Sequence, residues 1–139
     1  MVNRSKNIKI GGEGSLMPNL DISISREIRY RCVRSFLDFI ILGLIKKKPI
    51  SGYDVITYIY DRFQILLSPG TVYPTLSALE EQGYITSFTE ARKRLYALTK
   101  KGENIINQMA VEYLKCYVQL DTLTRLLLGS NLTDSSLMV

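Results

Sequence analysis

The chain has 139 residues, 46% of them hydrophobic, with 18 Lys and Arg against 13 Asp and Glu, no histidine and two cysteines. That is enough for one domain with a modest core, or one domain with a long appended element. The residue inventory excludes a zinc ribbon, a CxxC redox pair and every histidine-based mechanism, while the net charge of +5 slightly favours a polyanion as partner. Cys32 and Cys116 stand far apart and read as small, buried or half-buried apolar residues in a reducing, cytoplasmic setting. The longest apolar run, "FLDFIILGLI" from Phe36 to Ile45, is about ten residues and contains Asp38, whereas a membrane span needs roughly twenty. No membrane association is expected.

Charge is unevenly placed. Residues 1–34 carry seven basic and three acidic groups, residues 35–98 seven and six, and residues 99–139 four and four. Residues 1–20 hold Gly11, Gly12, Gly14 and Pro18 without apolar periodicity, so residues 1–24 are expected to be a flexible N-terminal arm. In "DISISREIRYRCVR" the alternation at Ile22 and Ile24 fits a short strand, while from Ser25 the segment also fits a lead into the next helix.

A first helix is predicted from about Arg34 to Lys47. Its apolar residues go nearly all the way round, which points to cover on more than one side and from outside its own small domain. Lys46, Lys47 and Lys48 suit its C-terminal end and Pro49 stops it. A second helix begins at "SGYD", with Ser51 as N-cap and Asp54 in its first turn. Val55, Ile56, Ile59, Tyr60 and Phe63 form its expected buried stripe.

The third helix lies in "LLSPGTVYPTLSALEEQGY", Leu66 to Tyr84, and buries Val72, Leu76 and Leu79. A helix starting at Pro69 would carry Pro74 in its sixth position, with a backbone hydrogen bond lost. Thr71 is therefore the expected N-cap, with Pro74 third and "SPG" as a tight turn. Gly83 supplies a left-handed stop. "YITSFTE" and "RLYAL", joined at "ARKR", then read as a β-hairpin with a basic tip. Thr99 caps a last helix from about Lys100 to Leu128, about 42 Å long. Residues 129–139 are expected to be a disordered tail.

Three short helices followed by a two-stranded wing is the layout of a winged helix-turn-helix. The predicted fold is thus mostly α with a small β-hairpin: a DNA-binding domain over residues 25–98 and a dimerisation helix over residues 99–128. In that layout the third helix enters the major groove and the wing sets cations beside phosphates or in the minor groove. Opposite its apolar stripe the third helix carries Gly70, Thr71, Pro74, Ser77 and Ala78, flanked by Tyr73 and Thr75. These are small and mostly uncharged groups that let a backbone approach DNA. Glu80 and Glu81 would be repelled by phosphates, leaving the N-terminal half to read.

In the last helix Ile106, Met109, Tyr113, Cys116, Leu120, Leu123 and Leu127 repeat in steps of three and four, a seam expected to pair two copies. A second stripe of Ile105, Val111, Leu114 and Val118 is expected to pack back on its own chain. Two-fold symmetry would set two recognition helices about 34 Å apart, or a multiple of that.

"FLDFIILGLIKKKPISGYDVI", "LSPGTVYPTLSALEEQGYI" and "RKRLYALTKKG" resemble, in order and spacing, the core pattern of the PadR family of transcriptional regulators. The resemblance covers roughly residues 34–102. It implies a dimeric, DNA-binding winged-helix repressor of the shorter type with a single C-terminal helix, often relieved by a small-molecule effector, here unidentified. From the residue inventory no cofactor or metal is expected. By position, Ser68, Thr71, Tyr73, Pro74 and Thr75 match the family's recognition-helix motif, Arg92, Lys93 and Arg94 its wing, and Tyr96 a structural hairpin tyrosine. The N-terminal extension, with Arg26, Arg29, Arg31 and Arg34, departs from the shared pattern. A rival reading is a winged-helix protein-protein interaction module without DNA readout, against which the basic wing and the acid-poor start of the third helix argue. An enzyme is the weakest class, since "KKKPISG" lacks the spacing of a phosphate-binding loop.

Overall fold

A computed structural model describes residues 22–129. Of the arm expected over residues 1–24, residues 1–21 lie outside the described residues while residues 22–24 are helical and not part of an arm; the expected tail lies outside them from residue 130. The elements in order are α1 (Ile22–Ser35), α2 (Leu37–Lys47), α3 (Gly52–Phe63), α4 (Pro69–Glu81), β1 (Ile85–Glu90), β2 (Lys93–Leu98) and α5 (Lys100–Leu128).

The segment with strand-like alternation is helical. Arg31 and Glu27 pair one turn apart on α1, and Arg29 donates from its guanidinium to the carbonyl of Phe63 at 3.2 Å. That contact seats α1 on the C-terminal end of α3, where free carbonyls favour a cation. The helix expected over Arg34–Lys47 is in fact two, separated at Phe36 (φ −107°, ψ 11°). There the amide of Phe39 turns to the carboxylate of Asp38 at 2.7 Å. A side chain inserted into the backbone ladder is a recognised cause of such a break.

α2 is the centre of the molecule. Leu37, Ile41, Leu42 and Ile45 are buried, and Phe39, Ile40 and Leu44 pack on them. Its second apolar face is covered by α5, from outside the small domain over residues 25–98, as expected. Phe36 and Phe39 flank Tyr113 with ring centres 4.8 and 4.9 Å away, and Lys46 reaches Asn107 at 3.2 Å.

At the start of α3, Ser51 and Asp54 form a reciprocal capping box: Ser51 Oγ accepts from the Asp54 amide at 3.2 Å, and Asp54 Oδ2 accepts from the Ser51 amide at 2.8 Å. Val55 and Ile59 are buried as expected, but Tyr60 is exposed. Hydrogen bonding to Ser51 holds the Asp54 carboxyl below its ordinary value of 3.8. The sign follows: stability from the box is present above about 3.8 and is lost as pH falls through the folded value. Acid titration of Asp54→Asn, followed by circular dichroism, should lack that part of the acid limb.

The last turn of α4 closes as a Schellman motif. Gly83, at φ +79°, donates to Glu80 and Tyr84 donates to Leu79. The hairpin pairs Ile85 with Leu98 through Glu90 with Lys93. Ile50 bridges Tyr96 as a one-residue third strand. Its two-residue turn is Ala91 (φ 48°) and Arg92 (φ 63°), the left-handed pair of a type I′ turn built without Asn or Gly. Ala91→Gly should therefore raise stability by about 1 kcal/mol, read from urea denaturation.

Thr99 caps α5, accepting from the Gly102 amide at 3.1 Å. Cys32 and Cys116, expected to be at least half-buried, are both exposed. Among the described residues no helix is long and apolar enough to cross a membrane.

Candidate nucleic-acid interface

α4 runs without interruption from Pro69, and its N-cap is Ser68 (φ −75°, ψ 152°), not Thr71. The physical reason lies in both prolines. Pro69 occupies the first helical position, where no internal partner exists for an amide and the fixed φ suits the helix. Pro74 deprives the Gly70 carbonyl of its helical donor, but Gly70 and Pro74 are both exposed, so solvent or a ligand can satisfy that oxygen. The amides of Thr71 and Val72 instead turn to the Ser68 carbonyl at 3.0 and 3.2 Å.

The outward face of α4 carries Gly70, Pro74, Ser77 and Ala78, all exposed. Ser68 Oγ and Thr71 Oγ1 lie 3.2 Å apart, and Thr75 donates to the Thr71 carbonyl at 3.1 Å. The Thr75 hydroxyl proton is thus engaged, while its lone pairs remain able to accept. Thr71, Thr75, Ala78 and Gln82 line one side of a groove whose far wall is Arg34 and Asp38 at the junction of α1 and α2. Arg34 is exposed there, beside the first turns of the recognition helix.

Tyr73 is fixed on the other flank. A β-carbon on Gly52 would meet the Tyr73 ring at 2.7 Å, so the ring lies directly on the first turn of α3. Tyr73 still keeps 43% of its surface, so it packs on α3 and remains open to contact. The glycine of "SGYD" leaves room for the Tyr73 ring, a link between two motifs that residue spacing alone does not reveal.

In the wing the three basic residues part company. Arg92 is the tip, and Lys93 begins β2. Lys93 is exposed. Arg94 turns inward: its guanidinium donates to Glu80 at 3.1 Å and to Ser87 at 3.0 Å, and lies 5.5 Å over the ring of Tyr96. Tyr96 is buried as the expected structural tyrosine, and burial pushes its phenol up from its ordinary value.

The seam expected for a partner divides in the same way. Ile106 is buried in the chain's own core, and Met109 packs against it. Tyr113 meets Phe36 and Phe39. Those three positions face α2 because α5 needs its first turns to close the core. Beyond them Cys116, Leu120, Leu123 and Leu127 are exposed. Val111, Leu114 and Val118, expected to pack on their own chain, are exposed too.

Residues 41–108 match the transcriptional regulator PadR-like family. That match runs from within α2 to the first turns of α5, and over it the chain is similar to the family's regulators. It is 30% identical over 84 residues to the negative transcriptional regulator PadR of Bacillus subtilis, across 55% of this chain and 46% of that protein. The chain thus spans about half the length of that relative. A transcriptional regulator from Clostridium thermocellum is 25% identical with TM-score 0.60, over 66% of this chain and 96% of the other. A PadR-like regulator from Bacillus cereus shares the fold at TM-score 0.64 and 19% identity, over 68% of this chain and 97% of the other. The matched residues take in most of α2, all of α3, α4 and the hairpin, and the start of α5.

Proposed function

We propose that this protein is a sequence-specific DNA-binding transcriptional regulator that acts as a homodimeric repressor in the cytoplasm, with residues 25–98 as the DNA-binding unit and residues 99–128 as the dimerisation helix. The observation that carries the reading is the outward face of α4. Its small exposed residues Gly70, Pro74 and Ser77, and Tyr73 seated on Gly52, stand beside a hairpin whose tip is a cation. Apart from Tyr73 the exposed side chains over the first turns of α4 are small, and α4 itself carries no acidic residue before Glu80. That lets the helix backbone reach the major groove, where Thr71, Thr75 and Ser77 can bond base edges and Ser68 a phosphate. Arg92 and Lys93 supply charge beside the backbone of the duplex. The name of the Bacillus subtilis relative, a negative regulator, supports repression. No catalytic step is part of this reading, and an effector, if one acts, is of unidentified chemistry.

The second copy is argued from α5. From Leu114 to Gly129 no residue is buried, although Leu114, Leu120, Leu123 and Leu127 lie in that stretch. An isolated helix of that length is marginal in water, and two copies packed along it would cover the leucines. Selection of bound duplexes from a random DNA pool tests the whole reading. Enrichment of two related half-sites about 34 Å apart, or a multiple of that, is expected. A pool that stays random would overturn it.

A further inference from the structure

We propose that Arg94 is a positioning residue, clipping the wing to the recognition helix through Glu80 instead of taking a DNA phosphate. The proposal rests on the DNA-binding reading above. Strand alternation places Arg94 on the face of β2 that carries buried Tyr96 and away from Lys93. Its guanidinium is held by groups from three elements: Glu80 of α4 at 3.1 Å, Ser87 of β1 at 3.0 Å, and the ring of Tyr96 in β2. The second carboxylate oxygen of Glu80, Oε2, is buried without a hydrogen-bond partner.

The charge of Glu80 decides between the two roles. If Arg94 swung to a phosphate, Glu80, whose side chain is 34% exposed, would lose the guanidinium and face a polyanion, and like-charge repulsion opposes that exchange. The pair therefore stays closed on DNA and does two things. It cancels the charge of Glu80 on the helix that approaches the duplex. It also fixes the separation between the first turns of α4 and the cation at the hairpin tip. The arginine side of the pair is 61% exposed, so its contribution to stability is small and its consequence is geometric.

The test is a double-mutant cycle of Glu80→Gln and Arg94→Ala with two readouts. Without DNA, amide hydrogen exchange in β1 and β2 should rise by the same few-fold in either single variant and in the double. Independent, additive effects would overturn the clip. With a duplex selected by the wild-type protein, the double variant should bind about five-fold more weakly with an unchanged slope of log K against log[salt]. Arg92→Ala should lower that slope by about 0.9. A slope lowered by about 0.9 in the Glu80→Gln/Arg94→Ala protein would make Arg94 a phosphate contact and overturn the proposal. Should the wild-type protein bind no duplex, the DNA-binding reading fails by itself, and the exchange cycle decides the clip.

Discussion

Gly102→Ala is expected to destabilise the protein by about 3 kcal/mol, read as a lowered midpoint in urea. Gly102 is buried in the first turn of α5, where an added β-carbon would stand 2.0 Å from the carbonyl oxygen of Tyr84 and 2.8 Å from Leu98 Cδ1. That carbonyl cannot simply retreat, because it accepts from the Thr99 amide at 3.1 Å. Thr99 in turn donates to the Gly83 carbonyl at 2.6 Å and caps α5 through the Gly102 amide. The helix would have to lift from the hairpin, and Ile106, 5% exposed in the core, would lift with it. Gly43→Ala is the control. Its β-carbon would meet only Ile106 Cδ1, at 3.9 Å, so removing a glycine from the interior of α2 should stabilise by about 0.5–1 kcal/mol.

Leu120→Asp with Leu123→Asp is expected to convert a dimer into a monomer. Both side chains are more than half exposed, at 59% and 51%, on the continuation of the stripe that packs Ile106, Met109 and Tyr113 onto α2. Each leucine buried against a second copy contributes about 2 kcal/mol, and a two-fold axis counts every position twice. Two charges at the same positions remove that gain and add desolvation. Because neither residue touches the protomer core, the monomer should keep its helical content. Sedimentation velocity alongside circular dichroism checks both halves. A wild-type protein that sediments as a monomer would contradict the proposed assembly.

Local chemistry was the most legible part of this chain. The Ser51–Asp54 box, the Thr99 cap and the Gly83 stop each depend on residues within one turn, so residue identity and spacing sufficed to place them. The start of α4 differs from the expectation because Pro74 does not carry the full cost of a proline inside a helix. That cost falls when the orphaned carbonyl, here of Gly70, faces outward. In α5 the period of three and four was right, but a period names a face and not its partner. The early turns of that face meet α2, and Val111, Leu114 and Val118 point away from the body. Arg92, Lys93 and Arg94 are adjacent in sequence and looked like one cluster, yet the period of a strand sends Lys93 and Arg94 to opposite faces. Tyr73 against Gly52, and Glu80 against Arg94, are contacts between distant segments that no local pattern encodes.

The central claim is that α4 and the wing bind DNA together, and the dependence of binding on salt tests it most directly. For the wild-type protein on a duplex it has itself selected, log K should fall linearly with log[salt], with a slope of about −0.9 for each phosphate neutralised. In Arg92→Ala/Lys93→Ala protein the slope should become shallower by about 1.8, with the loss of affinity shared by selected and unrelated sequences. An unchanged slope and affinity in that variant would contradict the account.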